Sequence, residues 1–130
     1  MTTLRPSRLA CLLLLPIIAA VAGCSGTTES GTPYTIKVDR EMQAYIDAAL
    51  ATVHHSAVAM LEDEYLFEVY DSALDAREGI ALAKTAKGRT VRIETYYAGP
   101  DVTQVNVYVS PMGDQVMQAD LLSRLETRVN

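Results

Sequence analysis

The feature that most constrains the fold is a pair of adjacent segments in which apolar and polar side chains alternate. In the first, Val91 and Ile93 fall on one side and Arg92 and Glu94 on the other. A Gly99-Pro100-Asp101 turn leads into the second, 102–110, which directs its valines at 105, 107 and 109 to a single side. Period-two alternation is typical of a half-buried strand, and a short turn joins antiparallel strands. The two segments therefore predict an antiparallel hairpin with one apolar and one polar face.

Weaker patterns on either side of this hairpin complete the predicted fold. Residues 34–38 alternate like a strand, and Asp39 is a candidate N-cap for a helix. The stripe of that helix is Met42, Ile46, Ala49, Leu50, Val53, Ala57 and Leu61. Strands are also expected around 65–69 and 79–85, and Asp114 precedes a last helix. We predict an α+β domain in the order β-α-β-β-β-β-α, with about five antiparallel strands and both helices on one face of the sheet.

That arrangement leaves the polar side of the hairpin uncovered by helices. It is the one candidate interaction surface in the pattern, and its residues are Arg92, Tyr96, Asn106 and Tyr108. The alternative is ordinary cross-strand pairing on a solvated sheet face, where tyrosines cover polar neighbours.

The N-terminus has the parts of a lipoprotein signal. Arg5 and Arg8 precede an apolar run over 9–22, which ends in small residues before Gly23 and Cys24. The run is shorter than the ~20 residues that a bilayer core requires. We therefore expect residues 1–23 to be a signal peptide, with cleavage between Gly23 and Cys24 and a lipid on the Cys24 thiol. A simple secretory signal is the alternative.

Processing of this kind fixes the expected domains and location. Residues 24–33 would be the lipidated cysteine and a flexible tether rich in Gly, Ser and Thr, and 34–130 a single domain. The protein would be held in a bacterial cell envelope by the lipid on Cys24. Ser25, rather than aspartate, follows the cysteine, which favours the periplasmic face of the outer membrane over the inner membrane.

Removal of the signal also makes the chain more acidic. The formal charge is −5, and the loss of Arg5 and Arg8 without any acidic residue moves it to −7. Such a chain is a poor candidate for nucleic acid, because the phosphates would repel it. Acidic residues are dense over 62–78, which indicates either a surface for cations or basic partners or a solvated edge.

Few residues indicate chemistry. His54 and His55 are adjacent, and neighbouring positions on a helix point about 100° apart, so the rings cannot easily share one ion. Ser56 lies beside them without a nucleophile turn. We therefore predict no catalytic residue, no metal and no cofactor. The expected role is a non-enzymatic interaction or accessory module with an envelope protein partner. The alternative is a periplasmic protein that binds a small ligand or cation.

The chain resembles a family of small bacterial lipoproteins classed as a domain of unknown function. The resemblance rests on Gly88 in a hairpin, on the strand Val105-Asn106-Val107-Tyr108-Val109, and on Gly113-Asp114 before a helix with Leu121-Leu122 and Leu125. It implies the same fold and the same anchorage, and it supplies no catalytic residues.

Overall fold

The computed structural model describes residues 25–130, which contain seven strands and two helices. The strands are β1 (Ser25–Thr27), β2 (Pro33–Ile36), β3 (Met42–Ile46), β4 (Glu68–Leu74), β5 (Glu78–Lys84), β6 (Thr90–Gly99) and β7 (Val102–Val109). The helices are α1 (Leu50–Asp63), between β3 and β4, and α2 (Gln115–Val129), after β7. None of these helices is long and apolar enough to cross a membrane.

All seven strands form one antiparallel sheet in the order β1-β2-β3-β7-β6-β5-β4. The α+β prediction is confirmed, and so is the central hairpin, in which Ile93 pairs with Val107. Alternation places one set of β6 and β7 side chains under the helices, where Val91, Ile93 and Val105 are fully buried.

The last helix also follows the prediction. The Asp114 side chain accepts a hydrogen bond from the Met117 backbone N–H at 3.0 Å, which is the expected N-cap contact. Leu121, Leu122 and Leu125 are fully buried against the sheet. Local sequence signals therefore placed α2 correctly.

The first predicted helix begins too early. Met42 and Ile46 lie in strand β3, which pairs with β7, and the helix starts only at Leu50. Asp39 does not cap a helix, since its Oδ1 accepts the Glu41 backbone N–H at 3.0 Å within the turn between β2 and β3. An i, i+4 pair of apolar residues satisfies both a helix and a strand, and the turn decides between them. The sheet thus has more strands than the five expected.

The segment expected as a flexible tether also differs from the structure. Ser25 pairs with Thr35 and Thr27 with Pro33, so the chain forms an edge strand directly from residue 25. Thr28 closes the following turn through a backbone hydrogen bond to Thr32 at 2.9 Å. Gly, Ser and Thr residues carry no apolar pattern, so only pairing with β2 reveals this strand. The expected signal peptide and Cys24 lie outside the described residues.

Strand directions divide the connections between two ends of the sheet. Connections 37–41, 64–67, 85–89 and 110–114 lie at the end of the sheet that contains Ser25, which we call the Ser25 end. Connections 28–32, 47–49, 75–77 and 100–101 lie at the opposite, distal end.

Candidate interaction face

The side of the sheet opposite the helices bears a continuous set of polar and aromatic side chains, which we call the polar face. It is formed by three neighbouring strands, β3, β7 and β6. Its residues are Gln43, Tyr45, Arg92, Glu94, Tyr96, Gln104, Asn106 and Tyr108. The structure thus brings all four predicted face residues onto one surface.

Glu41, immediately before β3, organises this face. Its side chain is only 5% exposed, and its Oε2 accepts a hydrogen bond from Arg92 Nη2 at 2.9 Å. Its Oε1 accepts from Asn106 Nδ2 at 2.9 Å and from Lys37 Nζ at 3.2 Å. A buried carboxylate needs such partners to remain ionised. Glu41 therefore holds two of the predicted face residues in fixed positions.

The balance of forces on Glu41 favours its charged form. Burial alone would raise the pKa of this carboxyl, but hydrogen bonds from Arg92, Lys37 and Asn106 outweigh burial and lower its pKa. The same pairing, together with Glu94, overcomes burial at Arg92 and raises the pKa of the guanidinium. The two groups thus stay oppositely charged across the ordinary pH range.

Arg92 is also held from its other side. Its guanidinium lies 5.0 Å from the centre of the Tyr108 ring, and its Nε lies 3.0 Å from Glu94 Oε1. The Tyr108 hydroxyl donates to the Pro111 carbonyl at 2.8 Å. Stacking of a cation on an aromatic face adds to this order. Arg92 and Tyr108 are therefore preorganised rather than free to reorient.

Asn106 has a different position from the other three face residues. It is 4% exposed, with its amide nitrogen on Glu41 and its oxygen accepting from Gln104 Nε2 at 3.1 Å. Because both its amide nitrogen and its amide oxygen are hydrogen-bonded within the protein, Asn106 stabilises its neighbours and offers little surface for contact with a partner. The other three predicted residues, Arg92, Tyr96 and Tyr108, are half-buried, and the neighbouring Tyr45 is 54% exposed, so these four belong to the accessible part of the polar face.

Tyr96 lies at the distal part of the face, beside a cavity of about 220 Å³. The cavity is lined by Asp75 and Glu78 of the β4–β5 hairpin and by Glu94, with Ile80 at its apolar side. The Tyr96 hydroxyl donates to Glu94 Oε2 at 2.8 Å. Burial, this hydrogen bond and the negative charge of the surrounding carboxylates raise the pKa of Tyr96 to about 12.

The two histidine rings lie edge to face with their centroids 5.4 Å apart, but one is buried and the other exposed. His54 is 3% exposed on the sheet side of α1, and its Nε2 lies 3.3 Å from Ser72 Oγ of β4. His55 is exposed. Burial, and to a smaller extent His55, lower the pKa of His54. A Cβ at Gly79 would lie 2.7 Å from His54 Nδ1, so the ring packs where only glycine leaves room.

Sequence reasoning missed the central residue of the face. Glu41 was assigned to the first predicted helix, so it was not grouped with the hairpin. The signal that could have found it is the alternation of Glu41, Gln43 and Tyr45 against Met42, Ala44 and Ile46. Within residues 25–130, no group of three or more His, Cys, Asp or Glu side chains is arranged to hold a metal ion.

Fold and face together define a small α+β domain whose two helices cover one side of an antiparallel sheet. The sequence profile of a family described as protein of unknown function (DUF3568) matches residues 8–128. The chain therefore belongs to this family. No curated protein matches the chain.

Proposed function

We propose that this protein is a lipoprotein of the bacterial cell envelope, anchored by a lipid on Cys24. Its folded part would be a non-enzymatic interaction or accessory module that binds another envelope protein through the polar face. The observation that carries the binding role is the preorganised set of Arg92, Tyr108 and Glu41 on a sheet face that neither helix covers.

The anchor is supported by the sequence that precedes the fold. A basic start, an apolar run over 9–22 and small residues before Cys24 are the parts that lipoprotein processing requires. The family match begins at residue 8 and so includes this run and Cys24. We place the protein preferentially at the periplasmic face of the outer membrane, because Ser25 follows the cysteine.

The polar face has the composition of a contact surface. Tyrosine and arginine are enriched in protein interfaces, since they combine a large contact area with hydrogen bonding. At this face Arg92 and Tyr108 already occupy fixed positions, so binding would cost little side-chain entropy. An acidic chain with this face fits a protein partner better than nucleic acid.

The anchor is tested by metabolic labelling with a palmitate analogue in cells. Cys24→Ser should lose the label and release the protein from membranes, whereas Cys11→Ser should keep both. Label that persists in Cys24→Ser would contradict the anchor.

The face is tested by in-cell crosslinking of the full chain. Tyr96→Ser with Tyr108→Ser should lose the crosslinked partner while the circular dichroism spectrum stays native. Tyr70 and Tyr97 are exposed tyrosines outside the face, so their double Ser variant is the matched control. The polar face is not the contact surface if the partner survives the first double change.

The alternative function is binding of a small cationic ligand in the cavity beside Tyr96. Three carboxylates, an aromatic ring and the side chain of Ile80 surround a space of about 220 Å³. This lining fits an amine or guanidinium with a short apolar stem, because the ring face and the carboxylates both attract a cation. The alternative would use the acidic segment noted in the sequence.

Calorimetric titration of the full chain in detergent with agmatine, putrescine, Zn²⁺ and Cu²⁺ tests this alternative. Agmatine should release heat that Glu78→Gln abolishes and Glu68→Gln, outside the cavity, retains. Absence of heat with all four probes would eliminate the alternative.

A further inference from the structure

The direction of β1 determines where the membrane anchor must lie. β1 is antiparallel to β2, and Ser25 is opposite Thr35 near the end of β2. The described chain therefore starts at the Ser25 end of the sheet and runs from there toward the distal end. Cys24 is one peptide bond away from this paired residue.

This connection leaves almost no slack between lipid and fold. An extended residue spans at most about 3.6 Å. The nine residues expected as a tether are instead occupied by β1, the 28–32 turn and the start of β2. A lipid on Cys24 would hold the Ser25 end directly against the headgroup layer of the bilayer.

The exposed aliphatic and methionine side chains lie at the same end, whereas the exposed rings of Tyr45 and Tyr97 lie toward the distal end. One of the aliphatic side chains, Leu66, is 81% exposed in connection 64–67 at the β4 edge. Val38 in connection 37–41 and Met112 in connection 110–114 are 106% and 69% exposed, and Val116 in the first turn of α2 is 82% exposed. Connection 37–41 contacts the start of α2, since Gln118 Nε2 donates to the Arg40 carbonyl at 3.0 Å. A Cβ on Gly113, whose φ is +75°, would lie 2.6 Å from Arg40 Cβ. Val38, Met112 and Val116 thus belong to one contiguous part of the surface.

The charge distribution follows the same axis. All three lysines of the chain, Lys37, Lys84 and Lys87, lie at the Ser25 end, together with Arg40 and Arg89. These five basic residues face five acidic ones, Asp39, Glu41, Glu64, Glu68 and Asp114, of which Glu41, Glu64 and Asp114 are ion-paired. The distal connections carry Glu29, Asp47, Asp75 and Asp101 against Arg77 alone. The Ser25 end therefore has balanced charges and all the lysines, whereas the distal connections are acidic, so an anionic surface would favour the Ser25 end over the distal end.

We infer that the Ser25 end is a membrane-contact surface that rests on a bilayer containing anionic phospholipid. Val38 and Met112 enter the interface, and Lys84 and Lys87 lie near the phosphates. This inference rests on the proposed lipid anchor and extends it from a point of attachment to an orientation. The sheet then stands upright, with the polar face to one side and the distal end farthest from the membrane.

The test uses the full lipidated chain in vesicles and single cysteines that carry an environment-sensitive fluorophore. Val38→Cys and Met112→Cys report on the Ser25 end, and Asp101→Cys is the control at the distal end. Labelling is specific because a lipid consumes the Cys24 thiol and Cys11 leaves with the signal peptide. Vesicles contain phosphatidylglycerol with phosphatidylcholine and a nitroxide quencher at shallow depth.

We expect a blue shift and loss of most of the fluorescence at positions 38 and 112, with neither change at position 101. Equal signals at all three positions in membrane-bound protein would overturn the inference and leave the anchor intact. Maleimide labelling of the wild-type chain under denaturing conditions would instead show a free Cys24, which overturns the anchor and this inference together.

The charge contribution is tested in the Val38→Cys background. Lys84→Glu with Lys87→Glu should reduce quenching in vesicles with phosphatidylglycerol to the level seen in pure phosphatidylcholine, whereas Arg77→Glu should not. Quenching at Val38 that is independent of both lipid charge and the lysines would overturn the anionic preference.

Discussion

The two faces of the central hairpin are stabilised in different ways, although they alternate along the same residues. Toward the helices, Val91, Ile93 and Val107 are excluded from water by α1 and α2. Toward the other side, Arg92 is ordered by Glu41 and Tyr108. Burial of apolar side chains stabilises the fold but does not fix side-chain orientation. Charged hydrogen bonds fix the orientation of side chains and contribute less net stability. One face therefore holds the fold, and the other presents an ordered surface.

The largest effect is expected from the helix-covered face. Leu122 is fully buried, so Leu122→Ala should lower the free energy of unfolding by about 2–5 kcal/mol through the cavity it leaves. Urea denaturation followed by circular dichroism measures this loss. Val116→Ala, on the exposed side of the same helix, should stay within about 0.5 kcal/mol of wild type. Equal losses in the two variants would show that α2 does not pack as described.

A smaller loss is expected from the polar face. Glu41→Ala removes the acceptor of the buried Asn106 amide, and an unsatisfied buried donor costs about 1–3 kcal/mol. The Arg92 partner adds little, because its side chain is 35% exposed and solvent screens the pair. The same denaturation experiment measures the loss, with the exposed Glu68→Ala as control. A change no larger than that of the control would mean that Glu41 does not organise the face.

The two faces should also respond to acid in separate pH ranges. His54 lies on the helix-covered face, and its pKa is lowered from a usual value of 6.5 by burial and His55. The unfolded chain binds this proton first, so stability present above pH 6.5 is lost as pH falls through the lower folded pKa. His54→Gln should remove this slope, and His55→Gln should retain it.

Glu41 gives the second range. Its pKa is lowered from 4.5 because its hydrogen bonds outweigh burial, so stability is lost only as pH falls below about 4.5. Denaturant titrations at a series of pH values measure both losses of stability. Glu41→Gln should keep only the loss from His54, His54→Gln should keep only the loss from Glu41, and wild type should show both. One shared transition in all variants would contradict the separation of the faces.

The smallest effect concerns the hydroxyl of Tyr96. Tyr96→Phe removes a half-exposed hydrogen bond to Glu94 and should cost about 0.5–1 kcal/mol. The folded pKa of about 12 lies above the usual 10, so the stability from this group is present below pH 10 and lost as pH rises through about 12. Absorbance of the phenolate, as a difference between wild type and Tyr96→Phe, measures this pKa. A difference titration centred near 10 would contradict the contact with Glu94.

The elements predicted correctly are those whose signals are local. The β6–β7 hairpin has strict alternation around a Gly-Pro-Asp turn, and α2 has an aspartate cap and a leucine stripe. β3 was missed because Met42 and Ile46 fit both periods, and with it Glu41 was lost from the candidate face. Of the predicted face residues, Arg92, Tyr96 and Tyr108 remain partly accessible, whereas Asn106 is buried by neighbours that are distant in sequence.

The sequence by itself determined the class of fold, the hairpin, the terminal helix and the polarity of each face, because each depends on neighbours within a few residues. Only the tertiary structure decided that Ser25–Thr27 joins the sheet, that Glu41 meets Arg92 and Asn106, and that the lysines gather where Ser25 enters. Those contacts join residues far apart in the chain. Pairing between strands that are distant in the chain brings them together, and no local pattern in the sequence displays that pairing.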